Sequence, residues 1–156
     1  MYSEGFPILS IITYLPLLGV LLILLIDKEN FTTIKMIALI ITALNFLISL
    51  TLFFLHDAGT FEFQFVELSE WIPALGVSYY FGIDGISMLM VILTTFLTPL
   101  AIWSSFSAIR ERVKGYMISF LLLETGMLGV FVSLDLVLFF VFWEAMLFPM
   151  YFIIGI

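Results

Sequence analysis

Two carboxylates sit where a membrane tolerates them least. Glu144 lies near the middle of the run Asp135 to Ile156, D-LVLFFVFW-E-AMLF-P-MYFIIGI, and Glu124 lies inside LLLETGMLGVFV. A spanning helix needs about 20 apolar residues, and the Asp135 run supplies them. A charged side chain at the centre of a lipid-facing helix costs at least about 2.5 kcal/mol. Such a group is therefore placed against protein or water, and it is a functional-site candidate by default. Its chemistry is proton exchange. Desolvation disfavours the charged form of a carboxyl and a nearby cation favours it, so a midplane Glu can be tuned to load and release a proton. Pro149 adds a second irregularity. It has no N–H, so the carbonyl of Ala145, next to Glu144, loses its helical partner. That carbonyl is free to bind a water or a polar neighbour.

The spacing of the two carboxylates matters as much as their type. Asp135 marks a tight turn, with Glu124 eleven residues before it and Glu144 nine after. At about 1.5 Å of rise per residue, both lie roughly 14–17 Å below one membrane surface. Two glutamates at one depth on antiparallel neighbours need not face each other, but they come within reach directly or through water. The plainer alternative for each is a protonated carboxyl hydrogen-bonded to a backbone carbonyl, Ser or Thr. Gly126 and Gly129, beside Glu124, read as close helix-packing points.

Composition excludes most other chemistry. Of 156 residues, 63% are hydrophobic and only 11% charged, against about 25% charged in soluble domains. The chain is an integral membrane protein on that ground. A net charge of −7 with five Lys and Arg offers no basic face for nucleic acid. There is no Cys, which excludes disulfides and thiolate sites. The single His56 cannot build a zinc or haem site alone, and no Gly-rich phosphate loop appears.

The elements that must position the carboxylates follow from the apolar runs. The expected fold is all-α, with five transmembrane helices at about 6–26, 36–55, 85–104, 116–134 and 136–156. The first run ends at Asp27-Lys28-Glu29-Asn30 and its N-terminus carries Glu4 but no basic residue, so it reads as a retained span rather than a signal peptide. Pro7 suits its first turn; Pro16 and Pro99 predict bends in spans one and three. Asn45, in mid-span, must find an interhelical hydrogen bond. Asp84 and Asp135 read as N-caps of spans three and five.

Residues 57–83 change character. FEFQF at Phe61–Phe65 alternates with period two, and VSYYFGI does so more loosely after Pro73 and Gly76. The pattern predicts a short extramembrane β-hairpin between helices 2 and 3, with Trp71, Tyr79 and Tyr80 at headgroup level. Glu62, Glu67 and Glu70 read as a solvated face. A clasp to a neighbouring subunit is the sharper alternative, because an exposed strand edge recruits partners.

Charge sets the expected topology. Lys28, Lys35, Arg110, Arg112 and Lys114 all lie in the loops after spans one and three. Cytoplasmic loops carry the Lys and Arg excess. The N-terminus and hairpin are therefore expected outside.

LLLETGMLGVFVSLDLVLFFVFWEAMLFPMYFIIGI resembles the fourth and fifth helices of the antiporter-like subunits of respiratory complex I, NADH:quinone oxidoreductase, most of all the chain M family. YFGIDGISMLMVILTTFLTPLAIWSS, Tyr80–Ser105, resembles the start of the third helix in that family. The LDL and FWE…P patterns carry most of the specificity, and the resemblance covers all 156 residues. It implies the N-terminal part of a subunit with about fourteen helices in a bacterial inner membrane. It further implies proton translocation driven by quinone reduction elsewhere, with other complex I membrane subunits, lipid and protons as partners and no cofactor in this chain. Glu144 matches the essential helix-five glutamate, which in the family pairs with a lysine two helices later. Glu124 is not required by the family motif. The sequence stops after its fifth span, so a fragment or split subunit is expected, with the proton path completed elsewhere. Cation/proton antiporters and membrane-bound hydrogenases share the fold and remain alternatives. A non-catalytic membrane scaffold is the alternative from another class.

Overall fold

The computed structural model describes residues 7–55, 59 and 64–155. Helices α1 (Ile8–Leu24) and α2 (Phe31–Leu55) come first. A hairpin of β1 (Gln64–Ile72) and β2 (Val77–Ile83) follows, then α3 (Gly85–Ala108), α4 (Val113–Val132) and α5 (Leu136–Gly155). Among the described residues, α2 to α5 are long and apolar enough to cross a membrane. Helix α1 is equally apolar but has 17 residues, the lower end of the spanning range. Pro16, Pro99 and Pro149 each lie inside a helix that continues past them.

The helix ends are made by short polar side chains and by lysines. Asp84 Oδ1 accepts from the Ser87 amide at 2.8 Å at the start of α3. Asp135 Oδ1 accepts from Val137 and Leu138 at the start of α5. Helix α2 begins ahead of residue 36, because the Asn30 carbonyl receives Ile34 N–H. At the same end of the bundle, Lys114 Nζ donates to the carbonyls of Leu24 and Ile26 (3.2 and 2.7 Å). Lys35 Nζ donates to Phe106 O at 2.6 Å. Both cations meet helix C-termini, where the macrodipole is negative. These contacts tie the α1–α2 and α3–α4 loops together at one end.

The hairpin closes the other end. Glu67 pairs with Phe81 and Glu70 with Ser78, with irregularities between Gln64 and Glu67 and between Glu70 and Ile72. Phe65 takes a positive φ of 56° within the first irregularity. The turn needs Gly76, whose φ of +68° ends the Pro73–Leu75 3-10 turn. The first strand thus lies further along the chain than the FEFQF alternation implied: β1 is QFVELSEWI, and Phe61–Phe63 lie outside the described residues. Cross-strand pairing, not alternation, sets its extent. Phe81 is fully buried. Its ring meets Tyr79, Phe142 and Tyr14 at centroid distances of 4.5, 5.9 and 6.4 Å. Leu134 N–H donates to Tyr80 O at 2.8 Å, and Ser78 N–H donates to Asp135 Oδ2 at 2.9 Å. The chain's own α4–α5 turn thereby covers part of the β2 edge.

Candidate functional site

Helix α4 is the centre of the bundle, and two glycines let α5 approach it. A Cβ at Gly126 would lie 3.0 Å from Met146 Cβ, and one at Gly129 would overlap the Phe142 ring. On the other side, Gly19 of α1 lies between Leu121 of α4 and Ile41 of α2. Close backbones leave no room for lipid between α1, α2 and α4, so polar groups there are buried within the bundle.

Glu124 points into that region and is 1% exposed. Its Oε1 accepts from Asn45 Nδ2 at 2.9 Å. The same amide donates to the carbonyl of Ile12 at 3.0 Å. Three helices are thus joined through one side chain of α2. One layer over, Ser49 Oγ and Thr95 Oγ1 lie 2.6 Å apart and join α2 to α3.

Glu144 is placed differently. It lies two residues from both Phe142 and Met146, which form the α4 contact, so its side chain projects about 200° away from that seam at 100° per residue. It is exposed on the outer face of α5, beside exposed Trp143 and Phe140. Glu124 is likewise two residues from Gly126. The structure does not bring the two carboxylates together: Glu124 faces α1 and α2, and Glu144 faces away from the bundle.

The hairpin contributes a third carboxylate that composition had assigned to a solvated face. Glu67 is 6% exposed. Its Oε2 accepts from Ser10 N–H at 3.0 Å, and its Oε1 accepts from Ser10 Oγ–H. Pro7 gives α1 no side-chain cap, and the unpaired N–H groups of its first turn attract a carboxylate. Glu67 fills that need from 57 residues away, which explains its burial. Glu70 stays exposed; Glu62, Glu4 and His56 lie outside the described residues. Tyr79 OH lies 2.7 Å from Ser10 Oγ, and burial pushes its hydroxyl well above the ordinary tyrosine range. A legible signal existed for this cluster: Ser10, Thr13 and Tyr14 share one face of α1 at i, i+3 and i+4. Among the described residues, no group of three or more His, Cys, Asp or Glu is placed to hold a metal ion.

The family described as "NADH-ubiquinone oxidoreductase chain 4, amino terminus" matches residues 9–134 of this sequence, from α1 through the hairpin to the end of α4. The chain belongs to this family. Among chain 4 relatives, it is 44% identical over 155 residues to NADH-ubiquinone oxidoreductase chain 4 of Arabidopsis thaliana. That comparison covers 99% of this chain and 31% of the relative. It is 48% identical over 153 residues to NADH-quinone oxidoreductase subunit M of Rhodobacter capsulatus, covering 96% of this chain and 29% of the relative. The chain therefore spans about a third of the length of the chain 4 and subunit M relatives it matches. Its fold is similar to that of a chain in the respiratory complex I structure from Thermus thermophilus with bound NADH. The TM-score is 0.73 at 28% identity, over 90% of this chain and 27% of that one.

Proposed function

We propose that the chain forms the amino-terminal part of a proton-translocating membrane subunit of NADH:quinone oxidoreductase. In this reading quinone reduction elsewhere drives proton movement, and this chain holds no redox site. All five helices span a bacterial inner membrane, α1 included, and the N-terminus and hairpin face outward. The joining of the two cationic loops through Lys35 and Lys114 supports that orientation, because cytoplasmic loops carry the Lys and Arg excess.

The observation that carries the reading is Glu144, an ionisable group mid-helix on a face of α5 that nothing in these five helices covers. Such a group is expected against protein or water rather than lipid. Further helices of the same subunit, or neighbouring subunits, supply that cover and the cation that balances its charge. Glu144 is the proton relay, and Glu124 is a second protonatable group.

The test is reconstitution of the purified assembly containing this chain into sealed vesicles. NADH oxidation with quinone, coupled to vesicle acidification, is the expected result. Cation-for-proton exchange without NADH oxidation would move the chain to the antiporter alternative, and assembly without any ion movement to the scaffold alternative.

A further inference from the structure

Helical Ser and Thr hydroxyls usually bond to a carbonyl three or four residues back. Thr42 does so to Ala38 (2.8 Å), Thr94 to Met90 (2.9 Å), Thr98 to Thr94 (2.8 Å) and Ser105 to Ile102 (2.7 Å). Thr13 and Thr125 do not. They are 0% and 7% exposed, and neither hydroxyl has a partner among the described residues. Asn45 Oδ1 and Glu124 Oε2 are buried in the same condition.

Asn45 Oδ1 and Glu124 Oε2 belong to the group that the Asn45 amide joins, and Thr13 and Thr125 are next in sequence to two of its members. Thr13 follows Ile12, whose carbonyl accepts from Asn45. Thr125 follows Glu124, which accepts from the same amide. An unmet buried polar atom costs about 1–3 kcal/mol, and internal waters typically make about three hydrogen bonds to such groups. Unmet atoms on α1, α2 and α4 are the kind of partner such a water requires.

The polar line continues outward along α1. Ser10 precedes Thr13 by three residues on the same face, a rise of about 4.5 Å. Ser10 Oγ meets Glu67 and Tyr79 OH. Beside them a cavity of about 340 Å³ is lined by Tyr14, Tyr79, Glu70, Trp71 and Phe142. The adjoining α1 positions Leu9 and Ile12 belong to the apolar core.

We propose that these groups form a water-mediated proton path between Glu124 and the hairpin face, with Thr13 positioning the water that spans Ser10 and Asn45. This rests on the proton-translocation reading above. Along the path each hydroxyl or water accepts one proton as it passes one on, so no group is consumed and no redox partner is needed. The ionisable groups facing it are Glu124, Glu67, Tyr14 and Tyr79, with Glu70 at the cavity.

Two measurements on the whole assembled enzyme test the path. The first is an experimental density map that shows ordered waters. Density within hydrogen-bond reach of Thr13 Oγ1 and of Asn45 or Glu124 is expected, and a dry contact there overturns the path. The second is the proton yield per electron. Thr13→Val should lower it while NADH oxidation persists, and Thr13→Ser should restore it; a parental yield in Thr13→Val overturns the path. The map needs no variant, so it decides the matter even where Thr13→Val fails to assemble. Failure of the underlying reading is seen separately, as a parental yield in Glu144→Gln.

Discussion

Asn45 Nδ2 lies 2.9 Å from Glu124 Oε1, joining residues 79 positions apart on helices α2 and α4. The bond matters because, among the described residues, it is the one hydrogen bond that the buried Glu124 carboxyl group makes. Asn45→Leu should remove it and strand Glu124 Oε1, at a cost of about 1–3 kcal/mol. The double variant Asn45→Leu with Glu124→Leu should cost less than the sum of the singles, since no polar atom is then stranded. Thermal denaturation of the assembled enzyme reads this cycle, and strict additivity would contradict the coupling.

The α4–α5 seam makes a second prediction. A Cβ at Gly129 would occupy the space of the Phe142 ring. Gly129→Ala should lower the amount of assembled complex in membranes, at an overpacking cost of about 1–3 kcal/mol. Adding Phe142→Leu should recover part of the loss. Normal assembly in the single variant would show that the seam is looser than the geometry states.

Much of this architecture was legible in the residues. Apolar runs place the helices, Asp84 and Asp135 mark two helix starts, and VSYYFGI coincides with β2. Which way each glutamate faces was not legible. Helices α4 and α5 are apolar around their whole circumference, so periodicity is silent about their inner sides. Glu124 and Glu144 therefore looked alike, and packing of Gly126 and Gly129 decides that one turns in and the other out. Glu67 was misread for a related reason. Polar neighbours Ser69 and Glu70 suggest solvent, while the partner that buries Glu67, the uncapped first turn of α1, is far away in sequence.

The hairpin's seat should respond to acid. The Ser78 amide, with help from Leu138 and Val137, holds the Asp135 carboxyl below its ordinary pKa of 3.8. A depressed folded value means that the unfolded state binds the proton first, so the contribution is complete above that ordinary value and is lost as pH falls through the lower folded one. Hydrogen exchange at the Ser78 amide should be independent of this group above pH 3.8, after correction for intrinsic rates. Protection should fall below it. Asp135→Asn should abolish that pH step; an unchanged step would assign it to another group.

Orientation is open to direct labelling, because the chain contains no Cys. Leu75, 73% exposed at the hairpin turn, and Glu111, exposed in the α3–α4 loop, mark opposite ends of the bundle. In sealed membranes, Leu75→Cys should take up an impermeant thiol reagent from outside, and Glu111→Cys from the cytoplasmic side. Mass gained by this chain is the readout. The reverse pattern would invert the proposed topology.

The most direct measurement is the number of protons pumped per electron by the reconstituted enzyme carrying Glu144→Gln. The amide keeps the shape of the side chain and removes its ability to exchange a proton at neutral pH. The account predicts an assembled complex with a reduced proton yield. A parental yield in a fully assembled complex would contradict the relay role of Glu144.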